Sequence, residues 1–249
     1  MDPALSKYLT TTGPQKIFAL IYGPPVSGKT TGARTFPNPV IIDIDHNLPE
    51  GVPNVIPLWD DAFVDKIKPR LNPTFPANRR DALLIILSDL ARSLPADHTI
   101  IVDSLTRLET WFNTQESIEP KPRSKQGAED GFEMFRKRLT YFEALFTMFT
   151  NCASNVVMLV HQQQDRDDTG KVTGQIKPSL QGQIGEKMPG YFPIVMQAVR
   201  KTGAAAPGTE PKVEFLWRIR PGIHEPARVP KPAAVDFIKQ DYNELLKFL

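Results

Sequence analysis

Short apolar runs recur along the chain, each stopped by a polar cluster: Lys16–Tyr22, Pro39–Asp45, Asn54–Leu58, His98–Ser104 and Val156–Val160. Runs of this length without alternation read as strands buried on both faces, as in a parallel sheet. Helical periodicity fills the gaps. Asp81–Leu94 carries Leu83, Leu84, Ile86, Leu87, Leu90 and Ala91 on one stripe, Ser104–Trp111 continues from a strand as a helix, and Gly131–Asn151 predicts a long helix whose Arg136, Lys137 and Arg138 form a solvated basic face. Phe192–Val199 and Lys212–Arg220 then read as two antiparallel strands joined across Gly203–Gly208.

Alternating strands and helices predict an α/β fold: a mostly parallel sheet flanked by helices, with a C-terminal antiparallel extension. One strand is expected between those at 16–22 and 39–45 in space. Polar, proline-rich Asn113–Gly131 predicts a mobile loop, and Gln163–Gly182 a flexible one. The prolines of Pro221–Pro232 mark an extended segment leading to a terminal helix. The expected organisation is an N-terminal segment, 1–15, a core, 16–220, and a tail, 221–249.

Composition narrows the function classes. Of 249 residues, 30 are basic and 28 acidic, a net charge of +2, so no global field marks the chain for nucleic acid or membrane and any such contact is local. The single cysteine, Cys152, forms no internal disulfide and reads as a small buried residue. Met1–Pro14 is polar and no apolar run approaches a membrane span, so a soluble cytoplasmic protein without a membrane partner is expected.

Candidate chemistry begins where the first strand ends. Gly23-Pro24-Pro25-Val26-Ser27-Gly28-Lys29-Thr30 satisfies the pattern G-x-x-x-x-G-K-[ST] between a strand and a helix that starts with Thr31. Its glycines let consecutive N–H groups point into one concavity, and the helix adds its positive end, so polyphosphate is the expected guest. Lys29 would reach the β and γ phosphates of ATP, and Thr30 would ligate Mg²⁺.

In an open α/β sheet ligands sit at the carboxyl ends of the strands. Asp43 and Asp45 close the second strand and, by alternation, share a face, with Asp45 nearer the tip and placed to orient an attacking water. Asp103 ends the strand 98–104 as the second Mg²⁺ group. His161 and Gln162 end the strand 156–160, where they reach a γ phosphate; Arg166, Lys171 and Lys177 in the following loop are available to nucleic-acid phosphates. Asp165–Lys171 begins like a calcium loop but has Ile176 at the twelfth position, so calcium is rejected. Arg218 and Arg220, two apart on one strand, suit the phosphates of a neighbouring molecule or else guard an edge.

In this order the motifs resemble the RecA/RadA-type recombinase core, from about Lys16 to Arg220. Asp43-Ile44-Asp45-His46 resembles the family's Asp-x-Glu-His, whose Glu activates water; Asp103-Ser104 matches its Mg²⁺ strand; His161-Gln162 is similar to its Asn-Gln switch; Arg218-Ile219-Arg220 stands at its Lys-x-Lys pair. Asp45 departs by one methylene and His161 by replacing Asn. The resemblance implies a homo-oligomer, ring or filament, with ATP at the subunit interface, and a switch from Gln162 into a DNA-binding loop.

Core-only chains of this kind look most like phage-encoded ATPases that act with single-strand annealing or single-stranded DNA-binding proteins, in the host cytoplasm. The expected activity is Mg²⁺-dependent ATP hydrolysis coupled to single-stranded DNA and to assembly. A small-molecule kinase with Arg70, Arg79 and Arg80 as its lid, and a nucleotide-dependent scaffold with little hydrolysis, are the alternatives.

Overall fold

The computed structural model describes residues 16–67, 79–118, 131–169, 172–203, 210–222 and 225–249. Nine strands are present among them: β1 (Phe18–Gly23), β2 (Pro39–Asp43), β3 (Val55–Pro57), β4 (Thr99–Asp103), β5 (Asn155–Arg166), β6 (Val172–Pro178), β7 (Ile194–Thr202), β8 (Val213–Arg218) and β9 (Phe237–Lys239). The helices are α1 (Lys29–Ala33), α2 (Asp61–Ile67), α3 (Arg79–Ser93), α4 (Leu105–Ile118), α5 (Gly131–Asn151), α6 (Gly182–Tyr191) and α7 (Tyr242–Leu246).

The strands form one sheet in the order β3-β2-β4-β5-β1-β7-β8-β9, with β6 paired to β5. Pairs from β3 to β7 are parallel, whereas β7–β8, β8–β9 and β5–β6 are antiparallel. This is the expected fold class. Two strands, β5 and β4, lie between β1 and β2 where one was expected.

Unbroken apolar runs give each central strand two buried faces. Leu20, Tyr22, Ile100, Val102, Val156 and Met158 face a layer made by α3, α4, α5 and α6, which contribute Leu83, Leu87, Leu108, Phe142, Phe146 and Ile184. Ala19, Ile21, Ile101, Val157 and Leu159 face Ala33 of α1, Phe36, Trp217 of β8, Ile238 of β9 and Leu245 of α7. Each such side chain contributes about 1.5–3 kcal/mol when fully buried. From Glu225 on, the chain therefore returns to the sheet and closes its second face.

Three expectations change. The polar stretch after Trp111 stays helical to Ile118, and 119–130 lie outside the described residues. The loop expected over 163–182 is mostly strand: β5 continues to Arg166 and β6 returns beside it, pairing Gln162 with Pro178 and Gln164 with Ile176. Backbone pairing overrode a polar sequence there. The basic face of α5 divides, because Arg138 reaches Asn113 and Gln181 while Arg136 and Lys137 are exposed. Cys152 is buried and free, as its surroundings predict.

Candidate nucleotide site

The parallel register brings the strand ends to one level. Gly23 is opposite His161, and Asp43 is opposite Asp103. The phosphate loop leaves β1 and enters α1 through Gly28, which caps the helix at φ 83°. A side chain at Gly28 would meet Gln240 Oε1 at 2.5 Å and the Phe215 ring at 2.9 Å, and one at Gly23 would meet the Ala198 carbonyl at 2.6 Å. Both glycines are therefore required by close approach, and Gly28 also by its backbone. Pro24 and Pro25 follow Gly23 in the loop, and Val26 after them is exposed and sits at φ 60°.

Lys29 is buried and folds back over the loop, donating to the carbonyls of Gly23 at 3.0 Å and Pro24 at 2.8 Å. Burial holds its ammonium below the usual lysine range, opposed by the charges of Asp103 and Asp45. The Thr30 hydroxyl donates to Asp103 Oδ2 at 2.6 Å, joining the loop to the end of β4. Burial, reinforced by Asp45 and Asp43 and opposed by Thr30 and Lys29, pushes the Asp103 carboxyl up to about 6.

A cavity of about 450 Å³ runs over these groups, lined by Pro25–Thr31, Arg34, Asp103 and His161 among others. Ser27 is one of the lining residues, and its buried Oγ has no hydrogen-bond partner among the described residues. The donor set suits a magnesium–polyphosphate complex: an ammonium, the N–H groups of a helix start, and two hard oxygens, Thr30 Oγ1 and Asp103, of the kind Mg²⁺ takes from protein while phosphates and water complete its shell.

Asp43 and Asp45 part company. β2 ends at Asp43, so alternation does not extend to Asp45. The Asp43 carboxylate accepts from His46 N at 3.0 Å and Trp59 Nε1 at 3.0 Å, which ties the turn after β2 to the segment following β3. Asp45 Oδ2 instead accepts from Ser104 Oγ at 2.9 Å and lies 3.2 Å from His161 Nε2.

Of the pair midway along β5, where the parallel pairing with β1 gives way to the antiparallel pairing with β6, His161 lines the cleft. Gln162 falls on the opposite face by strand alternation and accepts from Gln197 Nε2 at 3.2 Å. The two residues therefore do not share the cleft as expected: His161 alone of them lines it, and its backbone N–H donates to Thr106 Oγ1 at 3.0 Å.

Arg218 and Arg220 have partners within the chain. Arg218 lies 3.8 Å from Glu225 and stacks over Phe237 at 4.8 Å, and Arg220 pairs with Asp236 at 3.3 Å. β8 ends at Arg218, so the shared strand face does not reach Arg220. Lys177 is half-buried on β6. Lys171, Arg70 and the side chains of Arg166, Arg79 and Arg80 lie outside the described residues.

Sequence reasoning missed what braces the loop from behind. Gln240, just past β9, donates through Nε2 to the Ser27 carbonyl at 2.8 Å and the Leu216 carbonyl at 3.0 Å. Trp217 packs where a side chain at Gly32 would meet it at 2.9 Å, as Phe215 does at Gly28. The spacing is physical: four helical residues rise about 6 Å, close to the roughly 6.6 Å of two strand residues. Glycines at 28 and 32 were a signal for close packing, but not for its partner.

No curated protein matches the sequence. Among solved structures, the crystal structure of the RadB recombinase is similar, with 13% identity, 81% of this chain and 87% of that chain covered, and a TM-score of 0.33. Residues 15–216 match the family model described as an AAA domain, a span that takes in the phosphate loop, Asp45, Asp103 and His161. The chain belongs to this AAA-domain family of P-loop ATPases.

Proposed function

We propose that the protein hydrolyses ATP with Mg²⁺ and couples turnover to single-stranded DNA during recombination or annealing, as part of a homo-oligomer. The observation that carries the chemistry is the Thr30–Asp103 bond at 2.6 Å beneath buried Lys29. Lys29 would leave the carbonyls of Gly23 and Pro24 for the β and γ phosphates, while Thr30 and Asp103 would hold Mg²⁺, which supplies charge neutralisation at the transferred phosphoryl group. Among the described residues, Ser104 and His161 both meet Asp45 at Oδ2 and fix the carboxylate, so Oδ1 is the oxygen that would orient water.

Support for the DNA step comes from the continuity of β5, which runs from His161 at the cleft directly into the β5–β6 hairpin that bears Arg166 and Lys177. A change at the γ phosphate would reach the hairpin through that strand. The order of motifs supports a phage-type recombination ATPase acting with a single-strand annealing or single-stranded DNA-binding protein. For Arg218 and Arg220 to serve a neighbour's ATP, their pairs with Glu225 and Asp236 would have to open.

The test is the ATPase rate with and without single-stranded DNA, for wild type and Lys29→Ala. DNA stimulation that vanishes in the variant supports the reading. A rate indifferent to DNA yet lost in the variant keeps the ATPase and removes the DNA coupling.

A further inference from the structure

A second cleft of about 530 Å³ adjoins the phosphate cavity and shares Gly28, Thr31 and Phe215 with it. Its far side is formed by Lys212 just before β8, by Glu214–Leu216 of β8, and by Lys239 at the end of β9 with Gln240 after it. Phe215 stands at the junction with 42% of its surface exposed, whereas Trp217, on the same strand face, is fully buried. An open aromatic ring at the junction of the two clefts, beside a polyphosphate loop, presents a flat apolar face on which a base can stack.

We infer that this cleft takes the nucleoside of the bound nucleotide, with the base stacked on Phe215. The inference rests on the reading of the phosphate loop as an ATP site and adds where the rest of the molecule goes. The volume lies within the range of small-ligand sites. Position agrees as well: Thr31, immediately after the Mg²⁺-binding Thr30, lines both clefts, so a chain of phosphates laid over Gly28–Thr30 leads past Thr31 to the ring. Gln240 holds the wall in place, since its amide spans from the Ser27 carbonyl to the Leu216 carbonyl next to Phe215. Every base has a π face, so stacking of this kind tolerates different bases.

The test compares Mg·ATP with Mg·tripolyphosphate, titrated calorimetrically into the full chain as wild type, Phe215→Ala and Phe215→Trp. The expected result is a loss of ATP affinity of roughly tenfold or more in Phe215→Ala, unchanged tripolyphosphate affinity, and near-wild-type ATP affinity in Phe215→Trp. Equal losses for both ligands in Phe215→Ala would make Phe215 a support of the loop and overturn the inference, as would no loss for either. Tripolyphosphate binding wild type as tightly as ATP would refute the nucleoside cleft while the phosphate site stands. Binding of neither ligand to wild type would overturn the ATP site itself, and the cleft with it.

Discussion

Gln240 donates a hydrogen bond of 2.8 Å to the carbonyl of Ser27, a residue 213 positions earlier in the chain. A loop whose amides must all point at phosphate has its backbone held from the opposite side by a segment near the C-terminus. The same amide serves Leu216 in β8, so loop, strand and tail form one unit.

Replacing Gln240 with Ala removes a donor from two carbonyls at once. The expected cost is about 1–3 kcal/mol of stability, together with weaker ATP binding. Denaturant unfolding and ATP titration of the variant check both parts.

Gly28→Ala is expected to abolish nucleotide binding, because the new Cβ meets Gln240 and Phe215 and the residue sits at φ 83°. Gly51→Ala is the control, with φ 78° but nothing within 4 Å of the added atom. It carries only the backbone cost of about 1–2 kcal/mol and should bind nucleotide as wild type does. Paired unfolding and binding measurements separate strain from collision.

Asp103 lowers stability in exchange for its role. Its carboxyl is held at about 6 by burial, above the 3.8 of an unfolded chain, so the folded state favours the protonated form. Stability from this group is fully present below pH 3.8 and declines as pH rises to about 6. Asp103→Asn, which keeps an acceptor for Thr30, should therefore be more stable than wild type at pH 8 by roughly 1–3 kcal/mol, with a correspondingly higher unfolding temperature, and match it near pH 4. Thermal unfolding without Mg²⁺ at the two pH values tests this. ATP hydrolysis should be lost.

His161→Ala should leave ATP binding intact and lower turnover about tenfold or more, since Asp45 keeps Ser104 but loses its contact at 3.2 Å. Gln162→Ala should change turnover far less, as its amide partner is Gln197 on the other face. Steady-state kinetics, read as KM and kcat separately, distinguish the two residues.

Much of this was legible in the sequence because it is local. The phosphate loop, the buried strands and Asp103 at a strand end are patterns within a few residues, and alternation and periodicity report them directly. What was not legible depends on how strands leave the sheet. Asp43 and Asp45 look as if they share one face until β2 stops at Asp43. Gln162 looks like the residue for the cleft until strand alternation turns it toward Gln197 and leaves His161 lining the cleft, and Gln163–Gly182 looks like coil because its pairing partner is itself. Gln240 and Phe215 gave no signal, since nothing in a sequence marks the far end of a chain as the back wall of its first loop.

Trp217, the largest of the fully buried side chains, lies one residue beyond residue 216, where the family match stops. A piece cut at that boundary would carry the phosphate loop, Asp45, Asp103 and His161 and lack the wedge between α1 and the sheet, along with β9 and Gln240. Modular swapping of the motif-bearing portion into another protein would fail for that reason. The heritable unit of function in this molecule is longer than its recognisable signature.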